Sequence, residues 1–140
     1  MNRKPVLPQR GFTLLELLVV MAIIGLLAAY VGPKYFGQLA ASEVKVARAQ
    51  IEALTRALDA YRLDLGRYPT QAEGLTALAQ RPAASPRWNG PYLTKAVPPD
   101  PWGRPYIYRM PGSGGRDYEL LSLGSDGRPG GSGNAQDVAP

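Results

Sequence analysis

The side chains that most often perform catalysis in enzymes are missing from this chain. Its 140 residues include no histidine and no cysteine, which excludes Ser-His and Cys-His nucleophiles and any zinc site with Cys or His ligands. Four acidic residues form no recognisable catalytic pair, and we interpret them as solvated or capping groups: Asp59, Asp64, Asp100 and Asp117. No enzymatic activity is predicted, and any bound metal must be held by oxygen.

The segment LGSDGRPGGSGNAQDV, residues 123–138, is rich in oxygen donors and glycine. Calcium takes about six to eight hard oxygen ligands, often backbone carbonyls beside carboxylates, and glycine lets a backbone fold around the ion. The spacing is not that of an EF-hand, and the terminal glutamate of that motif is absent. From the residues alone, both a calcium loop and a flexible tail remain open.

Glu16 is the one charged residue in the apolar run LLELLVVMAIIGLLAAYV, residues 14–31. At about 1.5 Å per residue, a helix of this length spans roughly 27 Å, close to the thickness of a bilayer core. A carboxylate placed there costs on the order of 3 kcal/mol on insertion scales, so it needs a partner. Glu16 is therefore predicted to be functional.

The basic residues around the apolar run predict its orientation. Arg3, Lys4 and Arg10 precede the run and Lys34 follows it, so the positive-inside bias places the amino terminus in the cytoplasm and the later residues outside. Removing those three leading charges lowers the net charge from +5 to +2. An ordinary signal peptide or uncleaved anchor is the alternative, but residues 31–33 lack the Ala-x-Ala cleavage pattern of a secretory signal.

Residues 34–65 predict an amphipathic helix that continues the apolar one. Its apolar residues recur at alternating spacings of three and four, with charged residues between them: Val44, Ala47, Ile51, Leu54, Leu58, Tyr61 and Leu65. After Gly66, frequent proline and glycine allow only short elements, namely a helix at 73–81 and strands at 105–110 and 118–123. A helix packed on a small antiparallel sheet is favoured over a coiled coil.

The residues GFTLLELLVVMAIIG, from Gly11 to Gly25, resemble the type III signal of type IV pilins and type II secretion pseudopilins. The resemblance implies that a prepilin peptidase cuts between Gly11 and Phe12 and methylates the new Phe12 amine. Glu16 is then expected to neutralise the amino-terminal ammonium of a neighbouring subunit as that subunit docks. The resemblance also implies that the stretch between Gly25 and Pro33 can lose helicity in a filament.

Four phrases after Gly66 resemble the major pseudopilins of type II secretion: RYPTQAEGLTAL at 67–78, GPYL at 90–93, VPPDPWGRPYIY at 97–108 and YELLSLGSDGRPGG at 118–131. The resemblance implies an α+β, type IV pilin-like fold in three parts: a cleaved leader at 1–11, a transmembrane assembly helix at 12–33 and a periplasmic head at 34–140. Type IV pilins usually close their carboxy-terminal region with a disulfide, which a chain without cysteine cannot form.

The resemblance to major pseudopilins also implies that calcium binds in the carboxy-terminal loop. Asp126 matches the family's first acidic ligand, and Asp137 matches the acid of its Ala-Asp-Ile ending, here Gln-Asp-Val. The remaining implied ligands are main-chain carbonyls and one further oxygen: Leu123, Arg128, and Ser132 or Asn134. Many relatives carry another acid between the two aspartates where this chain has Gly-Asn, and fewer carboxylates predict weaker binding.

The function that the resemblance implies is structural. The chain is expected to form a homopolymer, the pseudopilus, which works with minor pseudopilins and an inner-membrane assembly platform to drive folded proteins across the outer membrane. A type IV pilus subunit and a membrane-tethered calcium-binding module that never polymerises are the alternatives. Nucleic acid is not an expected partner, because Trp88 and Trp102 lie among prolines and suit packing in the fold.

Overall fold

The computed structural model describes residues 11–83 and 85–140. One long helix, α1, spans Leu14–Leu65, and it is followed by two antiparallel strands, β1 at Ile107–Arg109 and β2 at Glu119–Leu121. Single 3-10 turns complete the regular structure of the described residues: Leu75–Leu78, Ser113–Gly115 and Gly133–Ala135. The predicted α+β fold, one long helix packed on a small antiparallel sheet, is confirmed.

The short elements are shorter than the sequence predicts. The helix predicted at 73–81 is only the turn Leu75–Leu78, because the Leu78 carbonyl accepts the N–H groups of Tyr92 and Leu93 instead of a helical donor. Each strand has three residues, with Tyr108 opposite Leu120. β2 ends before Ser122, since this residue pairs with Val138 through two backbone hydrogen bonds of 2.9 Å.

The chain divides into two compact units, with the boundary between Gln38 and Leu39. In the first unit, every large apolar side chain from Phe12 to Phe36 is exposed, by 47% to 85%. α1 continues without a break past Gly25 and Pro33, so the loss of helicity expected in a filament stays a prediction. By length and composition, α1 is long and apolar enough to cross a membrane.

The second unit is built around the inner face of α1. Six helix residues on one face are buried, at spacings of three and four except for the adjacent pair Ala57 and Leu58: Ala47, Ile51, Leu54, Ala57, Leu58 and Tyr61. They form one core with Leu78 and Leu120, among others, while Val44 and Leu65 at the ends of the stripe are partly buried. The predicted core stripe is confirmed over its central residues.

Both tryptophans pack against this core and use their indole N–H groups to fix loops. Trp88 Nε1 donates to the Ala77 carbonyl at 2.9 Å, and Trp102 Nε1 donates to Glu43 Oε2 at 3.0 Å. The second bond ties the 100–104 turn to α1. Buried indoles usually pack their ring against apolar side chains and bond their N–H. Both tryptophans do so, and both therefore serve the fold.

Candidate functional site

The amino-terminal end of α1 is closed by a reciprocal pair of side chains, Thr13 and Glu16. The Glu16 N–H donates to Thr13 Oγ1 at 3.2 Å, while the Thr13 N–H and hydroxyl donate to Glu16 Oε2 at 2.9 and 3.0 Å. This arrangement is a capping box, which satisfies donors that the first turn of a helix leaves open. Its T-x-x-E spacing is visible in the sequence, but the prediction for Glu16 rested on its position in the apolar run and on the resemblance to the type III signal.

The cap leaves Glu16 able to accept a further donor. The two bonds that Thr13 donates, from its backbone N–H and its hydroxyl, both reach Oε2, and Oε1 takes part in neither. Because a carboxylate offers about four lone-pair positions, Glu16 can keep its cap and still bind an ammonium group. Phe12, 84% exposed, stands directly before the cap. Cleavage and methylation at Gly11 and Phe12 stay predictions, and residues 1–10 of the predicted leader lie outside the described residues.

The carboxy-terminal segment is a closed loop and not an extended tail. Its ends are joined by the Ser122–Val138 pair, and the Ser125 N–H donates across it to the Asn134 carbonyl at 2.9 Å. Gly124 has a φ of +63°, and a Cβ on it would lie 2.7 Å from the Gln136 oxygen. Glycine therefore allows the two halves of the loop to approach each other.

The two aspartates of the loop both bind its backbone. Asp126 Oδ1 accepts the Arg128 N–H at 3.0 Å, and Asp137 Oδ2 accepts the Gly130 N–H at 2.9 Å. Asp137 Oδ1 is buried and finds no hydrogen-bond partner among the described residues. A buried carboxylate oxygen is costly when it is unpaired, and a hard cation is the kind of partner that would offset this cost.

The other predicted ligands lie in the same loop. The carbonyls of Ser132 and Asn134 accept the N–H groups of Ala135 and Ser125, whereas Leu123 and Arg128 flank the glycine-containing turn 124–127. Within residues 11–83 and 85–140, no three acidic, histidine or cysteine side chains lie together, so carbonyls must supply most ligands. The donor set fits calcium, and the individual ligands stay predictions.

The sequence did not indicate that the carboxylate of Asp100, next to the loop, is buried. Asp100 is 3% exposed, accepts the Trp102 and Arg104 N–H groups on Oδ1 at 3.1 and 2.8 Å, and accepts the Ser122 hydroxyl on Oδ2 at 2.5 Å. Its interpretation as a capping residue is correct, but Asp100 is not solvated. The only local signal is the spacing of Asp100 and Arg104, which is common in proteins. It does not indicate a contact with Ser122, 22 residues along the chain.

The other three acidic residues interpreted as solvated or capping groups each make one contact in the fold. Asp59 accepts the Tyr68 hydroxyl at 3.0 Å and Asp64 accepts the Tyr92 hydroxyl at 2.7 Å. Asp117 forms an exposed ion pair with Arg62 at 3.1 Å. Each of these carboxylates therefore has a structural partner of its own.

The capped apolar helix and the small head define a class of protein, the pilin-like subunits. Residues 7–32 match the prokaryotic N-terminal methylation motif. Residues 34–140 match the family described as Type II secretion system (T2SS), protein G. The chain belongs to this family, and it is a structural subunit of the type II secretion pseudopilus.

Individual relatives agree with this assignment. The chain is 44% identical over 133 residues to the type II secretion system core protein G of Pseudomonas aeruginosa, covering 93% of each chain. It is 42% identical to the core protein G of Vibrio cholerae, covering 93% of this chain and 90% of that one. The crystal structure of the major pseudopilin from enterohaemorrhagic Escherichia coli is similar at a TM-score of 0.58 and 34% identity, covering 74% of this chain and 90% of that one.

Proposed function

We propose that this subunit polymerises through residues 12–33 into a filament rooted in the bacterial inner membrane, with its head in the periplasm. The observation that carries the proposal is the exposed apolar surface from Phe12 to Val31, which contains a single carboxylate, Glu16. Such a surface requires lipid or other helices around it. The filament pushes folded proteins across the outer membrane.

Glu16 gives the packed helices a register. An ammonium group and a carboxylate are each penalised in hydrocarbon, and each loses that penalty when the two meet. The partner is the Phe12 amine of a neighbouring subunit, which a prepilin peptidase releases and methylates. Minor pseudopilins and the inner-membrane assembly platform of type II secretion are the further partners in growth of the filament.

Replacement of Glu16 by Ala tests assembly. Because the chain has no cysteine, the single substitution Leu27→Cys, at a side chain 59% exposed, reports contacts between neighbouring helices by disulfide formation. Because one cysteine can join only two subunits, we expect disulfide-linked dimers in the Leu27→Cys chain and their loss when Glu16→Ala is added. The head must still melt at the same temperature, because its core begins beyond Gln38.

The matched control is Glu52→Gln, which changes an exposed carboxylate whose i,i+4 contact with Arg56 is 3.7 Å. It should leave crosslinking unchanged. If Glu16→Ala crosslinks as well as its parent, the subunit is tethered and does not assemble through this charge.

The carboxy-terminal loop is also part of the proposal, as a calcium site. Asp137 and Asp126 would hold the ion, with the carbonyls of Leu123 and Arg128 and an oxygen of Ser132 or Asn134. A bound calcium supplies positive charge that neutralises the two carboxylates and holds the halves of the loop together. The unpaired, buried Asp137 Oδ1 supports this assignment.

Thermal melts of the full chain in detergent, with calcium and with a chelator, test the ion site. At a free calcium concentration one hundred times the dissociation constant, binding stabilises the folded state by about 2.7 kcal/mol. The difference between the two melts should vanish in Asp137→Asn and persist in Asp117→Asn, which changes an exposed carboxylate outside the loop. Coincident melts of the parent chain would show that no such site exists.

A further inference from the structure

The turn at residues 100–104 is hydrogen-bonded to the carboxy-terminal loop at two places. The first is the buried Asp100, whose carboxylate accepts the Ser122 hydroxyl at 2.5 Å. The same hydroxyl accepts the Gly124 N–H at 3.3 Å. The first residues of the loop are thus bonded, through Ser122, to a carboxylate that is only 3% exposed.

The second set of hydrogen bonds comes from the guanidinium of Arg104. Its Nη1 donates to the carbonyls of Gly124 and Ser125 at 2.8 and 3.1 Å, and its Nη2 donates to Ser125 at 3.1 Å. The Arg104 backbone is itself held at both ends, since its N–H donates to Asp100 Oδ1 at 2.8 Å and its carbonyl accepts the Asp100 N–H at 2.7 Å. A charged, forked donor on a fixed backbone is preorganised for such contacts.

The loop makes room for this guanidinium. Gly127 has a φ of +68°, and a Cβ built on it would lie 2.7 Å from Arg104 Nε and 2.8 Å from Cζ. Any side chain at this position would displace the arginine. The turn 124–127 therefore wraps around the Arg104 side chain.

The carbonyls that accept hydrogen bonds from Arg104 are different from the carbonyls proposed to bind calcium. The arginine takes Gly124 and Ser125, whereas the carbonyls assigned to calcium are those of Leu123 and Arg128. The Ser125 N–H meanwhile donates to the Asn134 carbonyl in the second half of the loop. Orienting residues 124 and 125 thus also orients the flanking carbonyls and the opposite half.

We propose that Arg104 is a positioning residue for this loop: it orders residues 123–127 before any ion binds, so that calcium has to order only the second half. The proposal rests on the ion site proposed above for its effect on affinity, but the ordering of residues 123–127 stands without the ion. The rival reading is that the guanidinium replaces a metal cation. The two readings predict opposite changes in the calcium dissociation constant when the arginine is removed. A surrogate cation repels calcium, so its removal should lower the constant, whereas a positioning residue helps calcium to bind, so its removal should raise it.

Hydrogen exchange of the full chain in detergent and chelator tests the ordering without calcium. In Arg104→Gln, exchange at the Gly124 and Ser125 amides should rise on the order of tenfold, while the Tyr92 amide, bonded to Leu78 at 2.8 Å, should not change. In Arg104→Lys, exchange at these two amides should lie between that of the parent and that of Arg104→Gln, since an ammonium keeps the charge but lacks the forked donors of the guanidinium. Arg87→Gln, which removes an exposed charge elsewhere, is the matched control. Unchanged exchange at residues 124 and 125 would overturn the proposal.

Calcium titration of the same variants measures the effect on affinity. Substitution of groups that support metal ligands typically weakens binding by about 10- to 100-fold, so the dissociation constant should rise at least about tenfold in Arg104→Gln. Tighter binding in this variant would overturn the proposal in favour of the surrogate cation. If the parent chain binds no calcium, the ion site fails, and the exchange measured in chelator still decides whether Arg104 orders residues 123–127.

Discussion

Glu73 accepts three hydrogen bonds on the head, two of them from one arginine. Arg67 donates to its two oxygens at 2.6 and 2.8 Å, and the Thr70 N–H donates to Oε2 at 2.8 Å. The Glu73 N–H donates to Thr70 Oγ1 at 3.3 Å, so the T-x-x-E spacing again gives a reciprocal pair of bonds, here around the turn at 71–74. The Arg67 hydrogen bonds lower the pKa of Glu73 from 4.5 to about 2.

This lowered pKa predicts a pH-dependent contribution to stability. A carboxyl with a lower pKa in the folded state stabilises the fold above its unfolded pKa, and this contribution is lost as the pH falls through the folded value. The free energy of unfolding should therefore differ most between the parent and Glu73→Gln at pH 7, and the difference should shrink between about pH 4.5 and pH 2. Denaturant unfolding at several pH values measures it.

Glu52→Gln provides the comparison for Glu73→Gln, because Glu52 pairs with Arg56 on the exposed face of α1 and such pairs contribute little. Its free energy of unfolding should follow that of the parent at every pH. A constant difference between the parent and Glu73→Gln from pH 7 to pH 2 would contradict the assigned pKa.

At the scale of elements, α1 presents two leucines five residues apart in opposite environments. Leu58 is fully buried, and Leu63 is 86% exposed. Leu58→Ala should lower the free energy of unfolding of the head by about 2–5 kcal/mol, because it removes apolar contacts and leaves a cavity. Leu63→Ala should change it by no more than about 0.5 kcal/mol.

Both substitutions replace Leu by Ala in the same helix, where their propensities differ little, so the difference between them reports packing. Urea unfolding followed by the fluorescence of the two tryptophans, both in the head, measures it. Equal effects of the two substitutions would show that this part of α1 does not pack in the orientation described.

The periodicity of α1 made its inner face predictable, because spacings of three and four report which side chains are buried. The short elements were harder. Their ends are decided by contacts between distant residues, such as Leu78 with Tyr92 and Ser122 with Val138, which a local pattern does not contain. The two acids of the loop could be named from the family resemblance, but Asp100 and Arg104 could not be connected to the loop, since more than twenty residues separate Asp100 from Ser122.

At the scale of the whole molecule, the two units meet different demands. The first exposes an apolar surface that only a membrane or other subunits can cover, and the second closes its own core around α1. The same helix contributes to both units, although its first half is selected for surroundings outside the chain. The second unit is therefore stabilised by its own packing, whereas the first needs surroundings outside the chain.

The proposed processing would convert the precursor into a subunit that can assemble, and intact mass spectrometry can detect it. Cleavage between Gly11 and Phe12 removes the three leading basic residues, which lowers the net charge from +5 to +2 before the new amine is counted. It also creates the ammonium that Glu16 is proposed to bind next to its Thr13 cap. The protein extracted from membranes should therefore begin at Phe12 and carry one added methyl group, whereas cells without prepilin peptidase should retain the full chain. A product that begins beyond Pro33 would contradict the proposal, because it would have lost both Glu16 and the apolar surface.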